Sequence, residues 1–249
     1  MSSGDTRDLF FVAGGTGGIG SEVVRRLRAG GFAVAAAARD SSRLESLAHD
    51  SDVRTHAMDA TRPEEVAGGF ESVMRDGDRL AGVVNCIGTI LLKPAHLTTD
   101  DEWQRTLHTN LTSSFLLLRE AARRMMASGG GSIVFCSTVA AGRGLMNHDA
   151  LAAAKAGVEG MTRAAAASYA RYKIRVNCVA PGLVRTPLSR FLTENEPAAK
   201  ASTAMHPLGR LGDPGDVASA ICWLLSPEQS WITGQVVHVD GGLSTVQAR

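Results

Sequence analysis

Along the chain, short apolar runs rich in β-formers alternate with longer stretches in which apolar residues return every three or four positions. Seven runs read as strands: LFFVAG, FAVAAAA, VRTHAM, LAGVVNC, GSIVFCS, IRVNCVA and GQVVHVD. Alternation of this kind predicts a parallel sheet with helices on both faces, and seven strands joined by right-handed crossovers make a doubly wound α/β sheet. Helices are predicted after Gly18, Ser41, Pro63, Asp100, Asn147 and Pro214. The fourth, from about Asp101 to Met126, repeats Trp103, Leu107, Leu111, Ser114, Leu118, Ala121 and Met125 at helical spacing, so one long apolar stripe is expected to be buried in the core or against a second subunit. The stretch 187–207, PLSRFLTENEPAAKASTAMHP, is polar, interrupted and longer than most loops. It is expected to be a substrate lid, with an inert surface insertion as the alternative.

Composition narrows the picture. With 249 residues, 44% hydrophobic and 20% charged, the chain can bury one sizeable core, and residues 1–249 are read as a single domain. A net charge of +1 with scattered basic residues speaks against nucleic-acid or anionic-membrane partners and favours small-molecule chemistry. Cys86, Cys136, Cys178 and Cys222 lie far apart without metal spacing, so they read as reduced core residues of a cytoplasmic protein and no metal site is expected. The opening MSSGDTRDLFFVAGG has too short an apolar run for a membrane span and lacks the marks of a signal peptide.

Chemistry first shows where the first strand meets AGGTGGIGSEVVRRLRAGG. Gly15, Gly17 and Gly20 satisfy GxGxxG, and Gly14, Gly18 and Gly20 the looser GxxxGxG, with Thr16 and Ile19 inside the loop. Glycines between a strand and a helix permit a tight turn and let backbone N–H groups approach a pyrophosphate at the positive end of the helix. The second strand ends at Ala38, followed by Arg39 and Asp40. An arginine here accommodates a ribose 2′-phosphate, whereas an acidic residue accepts from the free 2′-hydroxyl. Arg39 therefore favours NADP(H), and Asp40 keeps NAD(H) open, although DSSRL also reads as a helix N-cap and first turn.

Taken in order, these motifs resemble the short-chain dehydrogenase/reductase family over essentially the whole chain. AGGTGGIG resembles its cofactor loop, with Ala13 where threonine is usual, and MDAT places Asp59 at its adenine contact. NCIG resembles the family's Asn-Asn-Ala-Gly, with Asn85 and Gly88 kept, and Asn110 in HTNLTSSF falls on its catalytic asparagine. VAPGLVRTPL supplies Pro181, Gly182, Val184 and Thr186 for the nicotinamide side. The resemblance implies a Rossmann-type fold, a nicotinamide dinucleotide, and a homotetramer or homodimer paired through the fourth and fifth helices.

One position departs from the pattern. The family's proton donor is a tyrosine four residues before the lysine that holds the nicotinamide ribose, with a serine thirteen residues further upstream that hydrogen-bonds the substrate oxygen. Counted from Lys155, the serine position holds Thr138, which keeps the hydroxyl and follows Ser137, while the tyrosine position holds Leu151, which cannot titrate. Tyr169 and Tyr172, the chain's two tyrosines, fall more than three turns beyond Lys155. His148, seven residues before Lys155, projects within about 20° of it on a helix, with Asn147 as the expected N-cap and Asp149 about 100° further round. His148 is thus the candidate acid, its alternative being a helix-start residue. Bacterial enoyl-thioester reductases of the same family place their tyrosine at this spacing, which keeps an enoyl or dienoyl thioester open as substrate.

Three readings follow. The first is an NADP(H)-dependent reductase of a carbonyl or conjugated enone, using Asn110, Thr138, His148 and Lys155. The second narrows the substrate to an enoyl or dienoyl thioester, and the third is a nucleotide-binding regulatory or scaffold subunit. Thr89, Leu91, Thr138, Ala140, Leu145, His148, Leu151 and Leu183 are expected to line a moderately apolar pocket.

Overall fold

The computed structural model describes residues 7–247. All seven apolar runs form strands: β1 (Arg7–Ala13), β2 (Ala33–Ala38), β3 (Arg54–Ala57), β4 (Asp78–Asn85), β5 (Gly131–Cys136), β6 (Ile174–Pro181) and β7 (Val236–Val239). They make one parallel sheet in the order β3-β2-β1-β4-β5-β6-β7. The order reverses between β1 and β4, which opens a crevice at the carboxyl ends of the strands, where doubly wound sheets hold their ligands.

The helices are α1 (Gly18–Ala29), α2 (Ser41–Ser51), α3 (Pro63–Val73), α4 (Asp100–Leu107), α5 (Ser113–Ala127), α6 (Asp149–Tyr169), α7 (Arg190–Thr193), α8 (Glu196–Met205) and α9 (Pro214–Leu225). Because strand side chains alternate, β1 sends Leu9 and Phe11 to one face and Phe10 and Val12 to the other. On the first face Phe11 stacks on Phe70 of α3 at 4.2 Å, and Leu117 of α5 and Val158 of α6 complete that core. On the second face Val23 of α1, Leu44 of α2 and Ile221 of α9 pack against Val12, Val84 and Val134. Two apolar layers thus hold the sheet between helices.

Two expectations change here. The long fourth helix is interrupted: α4 and α5 are joined by a π turn, His108–Thr112, with Asn110 at its centre. Trp103 stands exposed before the turn, whereas past it Ser114, Leu118, Ala121 and Met125 are buried as the stripe predicts, with Leu116 and Leu117 beside them. The stretch 187–207 also carries structure of its own, for a short turn leads into α7 and α8. Asn195 caps α8 by accepting from Ala198 N–H at 3.0 Å. Among the described residues no helix is long and apolar enough to cross a membrane, and no group of three potential metal ligands occurs.

Candidate active site

The glycine loop is built by crowding. Gly14 has φ of +76°, and a Cβ on Gly20 would stand 2.1 Å from the Gly14 carbonyl oxygen. The N-cap of α1 is Gly17, so no side chain caps the first turn and its N–H groups are left for an anion. That arrangement fits the pyrophosphate of a dinucleotide. Gly18 in turn lies under Thr186, whose Cγ2 would be 2.9 Å from an added Cβ. Gly20→Ala is therefore expected to open the turn and weaken dinucleotide binding by at least about tenfold with the far-ultraviolet dichroism kept, since every clashing atom is loop backbone. Calorimetric titration checks this, and wild-type affinity in the variant would refute the cradle.

At the far end of the crevice, Asp40 caps α2, accepting from Ser42 Oγ at 2.8 Å and from Arg43 N–H at 3.1 Å. Those two bonds hold its carboxyl below the ordinary range, and they engage the group that would otherwise read a ribose hydroxyl. Arg39 is exposed at the end of β2. Arg43, which the sequence reading missed, reaches back with its guanidinium to the Thr16 carbonyl at 2.5 Å, so two arginines border the gap between the glycine loop and β2. A basic residue one helical turn after Arg39 was the available signal. Burial raises the Asp59 carboxyl, but hydrogen bonds from Thr61 and the charges of Arg39 and Arg62 outweigh it and hold the group low.

A cavity of about 280 Å³ occupies the chemical end, bordered by Ile19, Thr138, His148, Leu151, Lys155 and Thr186. Lys155 is 6% exposed, and its Nζ donates to the Cys136 carbonyl at 2.8 Å. Burial lowers its pKa, opposed by the nearby thiols. A side chain at Gly88 would stand 3.6 Å from that Nζ and 3.0 Å from Asn110 Oδ1, which explains the glycine.

The carboxamide of Asn110 is fully engaged. Its Nδ2 donates to Thr106 O and Thr89 Oγ1, both at 3.0 Å, and its Oδ1 accepts from Thr89 N–H at 3.1 Å. Asn110 thereby pins the loop after β4 from inside the π turn. Asn85 stands behind the cavity, with Nδ2 donating to Ser114 Oγ at 2.9 Å and Oδ1 accepting from Ile87 N–H at 2.9 Å. It supports the loop from beneath.

The proton-transfer candidates converge around Leu151, which is 5% exposed. His148 is itself the N-cap of α6, while Asn147, expected in that role, adopts φ of +65°. Asn147 gives its carbonyl to the distant Lys93 N–H at 2.7 Å and turns the chain one residue before the helix. His148 Nδ1 lies 2.8 Å from Met146 O and donates to it, which leaves Nε2 for the cavity. Ser137 Oγ is committed to Glu159 Oε1 at 2.7 Å, whereas Thr138 Oγ1 only accepts a long contact from Ala140 N–H at 3.4 Å. Thr138 therefore keeps a hydroxyl proton to donate. Tyr169 packs against the core at the far end of α6, away from the cavity.

Of the expected apolar lining, Thr89, Leu145, Leu151 and Leu183 border the cavity. Leu91 and Ala140 do not, and Ile90, Leu92 and Val139 take their places. The end of β6 and the loop after it bring Pro181, Gly182, Val184 and Thr186 to the cavity edge, and Leu192 and Met205 bring α7 and α8 over it. His206, which carried no sequence signal, ties the two together. It is 3% exposed, with Nδ1 donating to Ser202 O at 2.6 Å and Nε2 accepting from Leu183 N–H at 3.3 Å. A Cβ on Gly182 would come within 2.5 Å of that Nε2.

Comparison with known proteins follows this geometry. A family model described as enoyl-(acyl carrier protein) reductase matches residues 13–244. The chain is 34% identical over 242 residues to the 3-oxoacyl-(acyl-carrier-protein) reductase FabG of Vibrio cholerae, covering 93% of this chain and 95% of that protein. A solved short-chain type dehydrogenase/reductase from Mycobacterium ulcerans superposes with a TM-score of 0.92 at 31% identity, over 97% of this chain and 91% of that one. A single-substitution variant of actinorhodin polyketide ketoreductase, solved with NADPH, superposes with a TM-score of 0.91 at 27% identity, over 98% of this chain and 99% of that one.

Proposed function

This chain belongs to the short-chain dehydrogenase/reductase family of oxidoreductases, and from that premise we propose that it is an NADP(H)-dependent reductase of a carbonyl or conjugated enone, working without a tyrosine acid. One observation carries the reading. His148, Thr138 and Lys155 open on a single cavity around Leu151, at the end of a crevice whose glycine loop fits a dinucleotide. The bound cofactor supplies the hydride. Lys155 has ammonium protons beyond the one given to Cys136 O, which would hold the nicotinamide ribose of the bound cofactor. Thr138 donates a hydrogen bond from its hydroxyl to the substrate oxygen, and His148, with Nδ1–H held by Met146 O, delivers the one proton from Nε2 when both ring nitrogens carry a proton. Asn110 keeps Thr89 and its loop in place. The cavity's largely apolar border suits a small, moderately apolar substrate, and Leu192 and Met205 of the lid add to it. The proposal includes a cytoplasmic homodimer or homotetramer, in which Phe115 on α5, 49% exposed, would be covered.

NADP(H) is favoured by the two arginines and by the engagement of Asp40 as a cap. Arg39→Ala is expected to weaken NADPH binding about ten- to a hundredfold and leave NADH binding nearly unchanged, the worth of one charge-assisted bond of about 1.5–3 kcal/mol. Titration of both cofactors checks this. Tighter binding of NADH than NADPH by the wild type would overturn it.

The description of the matching family model, together with the seven-residue spacing of His148 and Lys155, favours one second reading, reduction of an enoyl thioester. NADPH deuterated at nicotinamide C4, incubated with matched ketones, enones and enoyl thioesters, decides among the three readings. Deuterium on a carbinol carbon means C=O reduction, and on a β-carbon C=C reduction. NADPH binding with no transfer to any substrate would overturn the enzyme reading in favour of a regulatory subunit.

A further inference from the structure

β4 and β5 run side by side with Asn85 opposite Phe135, and a cysteine follows in each: Cys86 just past β4 and Cys136 as the last residue of β5. Both side chains pack on the α1 and α9 face with Val84 and Val134, and their sulfurs lie 4.0 Å apart. Both are half-buried and both border the cavity beside Ile19 and Lys155. Neither thiol has a part in the proposed reduction. Cys178 belongs to the opposite core, and no third ligand completes a metal cluster among the described residues. What the fold assembles is a pair.

We propose that Cys86 and Cys136 are a modification site, a dithiol that a hydroperoxide such as hydrogen peroxide converts to a disulfide across β4 and β5. Cys136, as thiolate, attacks one peroxide oxygen; the O–O bond breaks, hydroxide leaves and takes up a proton as water, and Cys136 becomes a sulfenic acid. The Cys86 thiol gives up its proton and attacks that sulfur; the S–O bond breaks and a second water leaves. Two thiols lose two electrons, and the peroxide gains them. The electrostatics assign the roles. The hydrogen bond with Cys86 favours the Cys136 thiolate against burial, with help from the Lys155 ammonium, whereas the hydrogen bond with Cys136 and burial hold the Cys86 thiol high.

Closure moves the sulfurs together by about 2 Å. The glycine loop feels it directly, because a Cβ on Gly14 would stand 2.9 Å from the Cys86 carbonyl carbon, and Lys155 hangs from the Cys136 carbonyl. The disulfide form is therefore expected to bind NADPH about tenfold more weakly, the equivalent of one lost hydrogen bond, an effect that rests on the proposed function.

The test treats the full chain with hydrogen peroxide and reads intact mass and unreduced peptide maps. Expected are loss of two hydrogens, a Cys86–Cys136 linked peptide, reversal by dithiothreitol, the same link in Cys222→Ser, and its absence in Cys86→Ala and Cys136→Ser. Oxygen added to Cys136 while Cys86 stays alkylatable, a link through Cys222, or thiols that resist peroxide would each overturn the site. Unchanged NADPH affinity in the linked form would overturn the coupling to the glycine loop. The mass measurement stands whether or not the chain binds NADPH, so failure of the functional reading leaves a separate signature.

Discussion

Lys155→Met is expected to raise the NADPH dissociation constant about ten- to a hundredfold and to slow turnover at least as much, while the protein without cofactor melts no lower than wild type. The first half follows from charge-assisted hydrogen bonds of about 1.5–3 kcal/mol, lost from a group that also positions the reacting ring. The second half follows from burial. At 6% exposure the ammonium has one fixed acceptor, the Cys136 carbonyl, and burial lowers its pKa. The folded chain therefore binds that proton less tightly than the unfolded chain does. This cost is in full force below the lowered pKa and fades as pH rises from there toward the ordinary 10.5, so wild type should gain on the variant over that window. Methionine keeps the apolar stem and drops the charge. Thermal melts across pH, paired with cofactor titrations, separate the two halves. Unchanged NADPH affinity would make Lys155 a relic of the family pattern, and a lower melting temperature would make its role structural.

Most of the scaffold was legible because buried parallel strands announce themselves as apolar runs. β2, AVAAAA, is buried at every position, as a parallel strand covered on both faces is expected to be. The glycine loop was equally legible, since Gly14 and Gly20 leave no room for a side chain. The π turn was not. One inserted residue shifts the apolar rhythm by less than its ordinary scatter, and Asn110 reveals it only through bonds to Thr89 and Thr106, which require the folded loop. α8 did carry a signal, an asparagine cap with proline inside the first turn, but the polar run around it reads as loop. The cysteine pair and the His206 tie join segments 50 and 23 residues apart, and no local pattern encodes such meetings. His148 sits between these cases. Its seven-residue spacing from Lys155 placed both on one cavity, yet the cap fell on His148 because Asn147 turns back to Lys93.

That placement sets up the result on which the tyrosine-free mechanism turns: His148→Ala and His148→Gln are each expected to cut turnover at least tenfold. General acid catalysis is typically worth about 10² to 10⁴ in rate, and with Leu151 at the usual acid position His148 is, of the two histidines bordering the cavity, the one with a ring nitrogen left over. His206 also borders it, but both its ring nitrogens are committed, to Ser202 O and to Leu183 N–H. Glutamine matters as the control. It keeps size and polarity but cannot titrate, so a loss in alanine alone would indicate packing, and a loss in both would indicate the proton. The pH profile adds a second readout: the limb due to the acid should vanish in both variants, leaving a slow, flatter rate with water as donor. Leu151→Tyr in the His148→Ala background should then recover ketone reduction, because a phenol four residues before Lys155 restores an acid within reach of the lysine's field. The mechanism is falsified if both histidine variants reduce a competent ketone or enone at the wild-type rate with an unchanged pH profile. His148 would then be only the cap of α6, and the proton would come from water near Thr138.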